Sequence, residues 1–104
     1  GMPIPLGGIA IKRELGNDIA AEVDKILAAS IDYAYKNPAS SYEFIRKYAA
    51  SMDHEVMQKH IDLYVNDFTR DLGDMGREAV RVLYGLAADS RVIPPVGDDI
   101  FAGY

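Results

Sequence analysis

The spacing of hydrophobic residues along the chain changes near residue 15. Before that point apolar and other residues alternate, as at Ile9 and Ile11, and a period of two is typical of a β-strand. From Ile19 onward apolar residues recur every three or four positions, which is the spacing of one helix face. A single strand cannot satisfy its own backbone hydrogen bonds. The strand predicted within residues 4–14 therefore requires a partner that the rest of the sequence does not supply.

Four helices are predicted between residues 17 and 90. The first is capped by Asn17 or Asp18. It stops before Pro38, because the residue that precedes a proline is disfavoured in the helical region. The second helix begins at Pro38 and ends near Ser51.

Local signals also bound the third and fourth helices. Asp53 is a good N-cap for the third, and Met52 is placed to pack as a hydrophobic staple. Gly73 after Leu72 predicts that the third helix ends in a left-handed residue. Asp74 is then expected to cap the fourth helix.

These elements predict a mostly α fold, with about four helices and one N-terminal β-strand. Residues 1–16 are expected to form a loop and the strand, residues 17–90 the helices, and residues 91–104 an extended or loose tail. Gly1 before Met2 is interpreted as a residue left by tag removal. The helix faces predict a core that contains Ile26, Leu27, Ile31, Ile45, Ile61, Tyr64, Phe68 and Leu83.

Composition narrows the class of protein. With 104 residues the chain is one domain at most, and its net charge of −5 argues against a nucleic-acid-binding surface. The apolar runs are too short to span a bilayer. The absence of cysteine excludes disulfides and thiolate metal sites from this sequence, and it fits a cytoplasmic protein.

The residue pattern alone predicts no active site. His54 and His60 are six positions apart, about 240° around a helix, and so cannot form a metal-binding pair. His54 is expected to be solvated, and His60 to pack in the core rather than act in catalysis. Acidic residues are expected to be helix caps or solvated side chains, because their spacing does not match a calcium loop; these are Asp62, Asp67, Asp71 and Asp74, together with Asp98 and Asp99 in the tail.

Several segments together resemble a known family. Pro3-Ile-Pro-Leu-Gly-Gly-Ile-Ala-Ile-Lys-Arg-Glu-Leu-Gly16 and Ser30-Ile-Asp-Tyr-Ala-Tyr-Lys-Asn-Pro38 are similar to segments of the 1,4-dihydroxy-6-naphthoate synthase family, which acts in the futalosine route to menaquinone. The likeness is strongest at His60-Ile-Asp-Leu-Tyr-Val-Asn-Asp-Phe68 and extends from about Pro3 to Ala88. The chorismate dehydratase family of the same pathway matches the Tyr64-Val-Asn66 stretch less well.

The resemblance implies the fold and chemistry of a larger protein. Members of that family resemble periplasmic-binding-protein-like (type 2) enzymes with two α/β lobes, and they cleave cyclic dehypoxanthinyl futalosine in the cleft between the lobes. This lyase reaction is implied to use a histidine base and no metal or organic cofactor. The chain matches only the C-terminal part, so neither His54 nor His60 inherits the role of that base.

The same resemblance places one segment of this chain near the cleft. Pro5, Leu6, Gly7 and Gly8 are expected to line the substrate site, although a hinge turn that needs glycine explains the same residues. No catalytic residue is expected in this chain.

Three interpretations of function remain open. In the first, the chain is the C-terminal segment of such a lyase, from a truncated or split gene, and is inactive without the N-terminal lobe. In the second, it is a standalone helical module that forms a homodimer through the predicted strand. In the third, it is a segment of a related solute-binding protein.

Overall fold

A computed structural model describes residues 1–49 and 53–103 of the chain. Residues 1–23 together with the described residues from 72 onward form one compact unit, and residues 24–71 form a second. Two short 3-10 turns, Arg13–Leu15 and Pro38–Ser41, precede helices of the two units. The α-helices are α1 (Asn17–Lys36), α2 (Tyr42–Tyr48), α3 (His54–Tyr64), α4 (Asp67–Arg70) and α5 (Gly73–Asp89).

The predicted N-terminal strand is wrong. No β-strand occurs within residues 1–49 or 53–103, and residues 1–12 have no regular secondary structure. Ile4 and Ile9 are 77% and 76% exposed, so neither face of this segment is buried. A strand is stable only beside a neighbour, and prolines and paired glycines weaken the intrinsic preference of this segment for extended pairing. The prediction of a mostly α fold agrees with the structure, whereas pairing of a strand at residues 4–14 with another chain has lost its basis.

Helix α1 has the predicted bounds, but its ends differ in detail. Gly16, at φ +85°, precedes it in a conformation that favours glycine. Asn17 is its first residue, and the Asn17 side chain donates to the carbonyl of Gly103 at 3.1 Å. At the other end, Asn37 Nδ2 donates to the Tyr33 carbonyl at 3.1 Å. Asn37 therefore caps the C-terminus of α1 instead of starting the next helix through its side chain.

The second and third predicted helices are each more broken than their hydrophobic pattern suggests. The second begins as the 3-10 turn at Pro38–Ser41 and becomes α2 only at Tyr42, while its predicted end near Ser51 lies outside the described residues. Asp53 caps α3 as predicted, because its Oδ1 accepts from Val56 N at 3.0 Å. The predicted staple residue Met52 is also outside the described range.

The fourth predicted helix, α5, begins at a left-handed glycine. Gly73 has φ +60°, as predicted from its position after Leu72. Asp74 lies in the first turn of α5, where its negative charge interacts favourably with the helix dipole. It is not the N-cap, which is Leu72.

Few apolar side chains are fully buried. Among the described residues, the buried apolar side chains are those of Ala20, Met57 and Ala79. Half of the predicted core is only half-buried, namely Leu27, Ile31, Ile45 and Ile61. The other half is exposed and the prediction is wrong there; the exposed fractions are 65% for Ile26, 53% for Tyr64, 39% for Phe68 and 40% for Leu83.

The C-terminal tail packs against its own unit. The Arg13 side chain donates to the Asp99 carbonyl and forms an ion pair with its carboxylate at 3.1 Å. Phe101 is half-buried, with the guanidinium groups of Arg77 and Arg81 at 4.9 and 5.3 Å from its ring centroid. We call residues 98–103 the tail strap. That residues 91–104 form an extended or loose tail stays a prediction, and Asp99 does more than serve solubility because it pairs with Arg13.

Candidate functional site

A shallow groove lies where the predicted third helix breaks into α3 and α4. Its volume is about 430 Å³, and it is lined by Tyr35, Asp62, Val65, Asn66 and Asp67. We call this the corner groove. All of its lining residues belong to the unit formed by residues 24–71.

Asn66 produces the break, because its polar groups all bind the backbone nearby or a neighbouring side chain. Its Oδ1 accepts from Phe68 N at 3.0 Å, and its Nδ2 donates to the Leu63 carbonyl at 3.3 Å. Its backbone N–H donates to Thr69 Oγ1 at 3.1 Å, which completes a capping box. The Thr69 hydroxyl in turn donates to the Tyr64 carbonyl at 3.0 Å. The two helix ends are thereby satisfied within the corner itself.

Two contacts join the C-terminal half of α1 to this corner. The Tyr35 hydroxyl donates to the Val65 carbonyl at 2.9 Å, on the residue between α3 and α4. Arg70 donates to both oxygens of Asp32, from Nε at 2.6 Å and from Nη2 at 2.9 Å. Bidentate arginine–carboxylate pairs fix geometry as well as charge. The corner is therefore held against α1 at two points.

The arginine pair also sets the charge state of Asp32. Hydrogen bonding from Arg70 lowers the pKa of Asp32 below its ordinary value of 3.8, against an opposing effect of desolvation. The same contact raises the pKa of Arg70. Both groups therefore stay ionised throughout the physiological range of pH.

Two carboxylates, those of Asp62 and Asp67, line the corner groove. Asp62 Oδ1 accepts from Gln58 Nε2 at 2.8 Å, and Asp67 lies in the first turn of α4. Neither a histidine nor a serine lines the groove, and within the described ranges no three metal-ligating side chains come together. These groups can accept hydrogen bonds or attract a cation, but they do not form a nucleophile with its base. The arrangement is suited to holding backbone geometry.

Both histidines are exposed on α3. His54 was expected to be solvated, and it is exposed, but its Nε2 is hydrogen-bonded to the Tyr42 hydroxyl and the two rings meet edge to face at 4.6 Å. The prediction that His60 is a core residue is wrong, because its ring lies exposed beside that of Tyr64 at a centroid distance of 5.5 Å.

The predicted lining residues Pro5, Leu6, Gly7 and Gly8 lie in the irregular N-terminal segment of the other unit. Leu6 is 61% exposed, and a Cβ added to either glycine would meet no atom within 4 Å. Their assignment to a substrate site stays a prediction.

Sequence reasoning missed the residues that build the corner. The spacing of Asn66 and Thr69 is a capping-box pattern and could have located the start of α4. The contacts of Asp32 and Tyr35 join positions 38 and 30 residues apart, which no local pattern encodes.

Among the described helices, none combines the length and hydropathy needed to cross a bilayer. A comparison with solved structures gives no match.

Comparisons with a family profile and with individual known proteins point to the same family. The family profile described as menaquinone biosynthesis matches residues 1–89. The chain is 39% identical over 102 residues to the 1,4-dihydroxy-6-naphtoate synthase of Streptomyces coelicolor, an alignment that covers 98% of this chain and 36% of that protein. It is 35% identical over 96 residues to the protein of the same name from Thermus thermophilus, covering 86% and 35% respectively. The chain thus spans about a third of the length of these relatives. The match over residues 1–89, from the irregular N-terminal segment through the whole of α5, shows that the chain belongs to the menaquinone biosynthesis family.

Proposed function

We propose that this chain forms the helical, C-terminal part of a 1,4-dihydroxy-6-naphthoate synthase and works together with the rest of that enzyme. The observation that carries the proposal is the match to two synthases over nearly the whole chain, while the chain spans only about a third of their length. The corner groove supports a structural contribution, because its polar groups are used to fix the α3–α4 turn against α1.

The reacting groups are proposed to come from outside this chain. The resemblance implies that a histidine base begins cleavage of cyclic dehypoxanthinyl futalosine, and that this base lies N-terminal to the part matched here. His54 and His60 are exposed, and neither lines the corner groove. We therefore expect the isolated chain to be catalytically inert. The lack of cysteine supports the cytoplasm as the place of action.

A chimeric enzyme tests this assignment. The aligned third of the Streptomyces coelicolor synthase is replaced by this chain, and release of 1,4-dihydroxy-6-naphthoate from cyclic dehypoxanthinyl futalosine is measured. We expect turnover by the chimera within about tenfold of the parent enzyme, which corresponds to about 1.4 kcal/mol of activation free energy. The isolated chain should release no product at the same concentration. A folded but inactive chimera would contradict the assignment, and turnover by the isolated chain would contradict its inertness.

Pro5, Leu6, Gly7 and Gly8 are proposed to line the substrate cleft of the complete enzyme. The open space around both glycines supports close approach of a ligand to the backbone. In the chimera, Gly8→Val should raise KM at least tenfold with little change in thermal stability, whereas Gly97→Val in the tail should change neither. If Gly8→Val lowered the melting temperature and left KM unchanged, the hinge interpretation would be favoured instead.

A standalone module that works as a homodimer is the second candidate. Exposed aromatic side chains favour it, since Phe44 and Tyr48 are 69% and 67% exposed and lie side by side at a centroid distance of 4.9 Å. Light scattering on the purified chain separates the two candidates. A strict monomer at high concentration, combined with an active chimera, would favour the synthase segment.

A further inference from the structure

Helix α5 carries four partly exposed apolar side chains on the side that also holds the buried Ala79. Met75, Val82 and Leu86 fall within about 40° of one another around the helix, and Leu83 extends the same side. Their exposed fractions are 61%, 37%, 60% and 40%. We call these four residues the α5 stripe. Ala79, which is buried, lies in the middle of this face, so no charged side chain interrupts it.

The tail strap of this chain lies on a different side of α5. Phe101 contacts the guanidinium groups of Arg77 and Arg81, which lie about 160° and 120° away from Met75 around the helix. The tail strap therefore contacts the basic side of α5, whereas the four residues of the α5 stripe stay partly exposed around the buried Ala79. A surface helix normally buries its apolar side and exposes its charged side.

We propose that the α5 stripe is the surface on which the remainder of the synthase packs, through an apolar face of that part of the polypeptide. The inference rests on the proposed function and names the partner surface for it. The occupant follows from length, because the alignment covers only 36% of the Streptomyces coelicolor synthase and most of that protein lies outside it. The family match includes every residue of α5, since it ends at position 89.

The size of the stripe also favours this occupant over a second copy of the chain. Four partly exposed side chains on one helix amount to a few hundred Å², in the range of functional apolar patches. A stable dimer interface buries about 800 Å² on each partner. The stripe is therefore adequate as one patch in a larger intramolecular contact and small for a dimer interface.

Three variants test the surface in two settings. Leu86→Ala trims the stripe, Met75→Glu with Leu86→Glu places charge on it, and Tyr84→Glu is the matched control. Tyr84 lies on α5 about 180° from Met75 and is 39% exposed. Each variant is made in the isolated chain and in the full-length chimera. Helix content, melting temperature and turnover are measured for both.

In the isolated chain, all three variants should retain the parent helix content within experimental error. In the chimera, Leu86→Ala should lower the melting temperature by about 5 to 10 °C, because it removes side-chain volume from a buried contact. The double glutamate variant should lower it further or abolish soluble protein. Tyr84→Glu should shift the melting temperature by less than about 2 °C.

The outcomes separate this inference from the proposed function. An active parent chimera that tolerates both stripe variants as well as it tolerates Tyr84→Glu would overturn the α5 surface and leave the synthase assignment standing. A folded parent chimera without activity would overturn the assignment itself. Loss of helix content in the isolated chain would show that the stripe is covered within this chain. Light scattering that showed a dimer of the parent chain and a monomer of the glutamate variant would assign the stripe to a second copy. Loss of helix content in the isolated chain and a dimer that the glutamate variant dissociates would each contradict the inference.

Discussion

Asn66 changes the direction of the chain with a single side chain. Its amide binds Phe68 N on one side of the break and the Leu63 carbonyl on the other, while Thr69 binds its backbone N–H. Ser, Thr, Asp and Asn stabilise helix starts because a short side chain can accept from an otherwise unpaired N–H. At Asn66 this local effect interrupts a run of apolar residues that would otherwise continue as one helix.

Replacing Asn66 with alanine should therefore destabilise the chain by about 1 kcal/mol, because the start of α4 loses its acceptor. Asn66→Asp should retain most of the stability, since a carboxylate accepts from the same N–H. Urea denaturation of the two variants provides the measurement. Equal stability of Asn66→Ala and the parent chain would show that the cap does not hold the corner.

Asp32 should make the free energy of unfolding of the unit formed by residues 24–71 depend on pH in the acidic range. Hydrogen bonding from Arg70 lowers the pKa of Asp32 in the folded chain below its ordinary value of 3.8. A carboxyl with a lowered folded pKa stabilises the fold above its unfolded pKa, and this contribution is lost as the pH falls through the folded value. Stability should thus fall below about pH 4 in the parent chain.

Asp32→Asn should remove that part of the acid dependence and lower stability at neutral pH. Glu55→Gln is a suitable control, because Glu55 forms an exposed ion pair with Lys59 at 2.8 Å on one helix. Thermal melts at pH 7 and at pH 3 check the prediction. An acid dependence that is the same in Asp32→Asn and in the parent would contradict it.

Local signals predicted single residues well where the neighbours along the chain determine the outcome. Asp53 caps α3 and Gly73 is left-handed because both depend on residues within one turn. Asn66 was missed because its capping pattern lies inside an apolar run that favours an unbroken helix. The pairing of Asp32 with Arg70 could not be predicted, since it depends on how distant segments pack.

Helix α3 has two different apolar sides. Met57 is 6% exposed and Ile61 is half-buried, so these residues face the interior of their unit. Val56 and Leu63 lie on another side and are 49% and 56% exposed. On the side of Met57 the sequence pattern also predicted Tyr64 as core, yet Tyr64 is 53% exposed. Periodicity shows which residues are apolar and not which of them find a partner.

The two sides should respond differently to truncation. Met57→Ala should cost about 2 to 3 kcal/mol, since it removes a buried side chain. Val56→Ala on the exposed side should change stability by less than about 0.5 kcal/mol. Chemical denaturation measures both. Similar losses for the two variants would mean that α3 is buried on both sides in solution.

The tail strap depends on Arg13, which lies in the turn before α1. Its guanidinium contacts both the carbonyl and the carboxylate of Asp99. Arg13→Ala should therefore release residues 98–103 and increase their rate of limited proteolysis severalfold, because cleavage follows the population of the open segment.

Lys12→Ala is the matched control, since Lys12 is the adjacent cation and pairs with Glu14 at 3.8 Å instead of with the tail. Its tail should be cleaved at the rate of the parent chain. Equal cleavage of the Arg13→Ala and Lys12→Ala variants would show that the strap does not depend on Arg13.

Elements were predicted best where one segment suffices to form them. Helix α1 matches its predicted bounds because its hydrogen bonds are internal and its stop signal is local. The strand failed because a strand exists only through a neighbour, and a period of two between Ile9 and Ile11 cannot provide one. The mostly α class was therefore predictable, whereas the state of residues 1–12 was not.

At the scale of the whole molecule, the two units each have a small interior. The buried apolar side chains in the described ranges are Ala20 and Ala79 in one unit and Met57 in the other. Units of about 50 residues bury a small fraction of their surface and are marginally stable without a further partner. The α5 stripe is partly exposed for the same reason: its unit has too small an interior to bury these side chains.

The isolated chain should consequently unfold with low cooperativity. We expect a broad thermal transition by circular dichroism and a urea m-value below the 1 to 3 kcal/mol/M found for compact small proteins, because little surface is exposed on unfolding. The parent chimera, measured alongside, should give a sharp transition. A sharp transition of the isolated chain would show that its apolar side chains are buried in solution.

The tail strap is held partly through its main-chain carbonyl groups, so its side chains can vary more freely than its length. Arg13 and Asn17 donate to the main-chain carbonyls of Asp99 and Gly103, and both pairs are 86 positions apart. Carbonyl oxygens are common to all amino acids, so replacing Gly103 with alanine should leave the contact intact; its Cβ would lie 3.4 Å from Asn17 Nδ2. One residue inserted between positions 99 and 103 would instead put the two donors out of step with their acceptors. The strap should therefore tolerate substitution and reject a change of length.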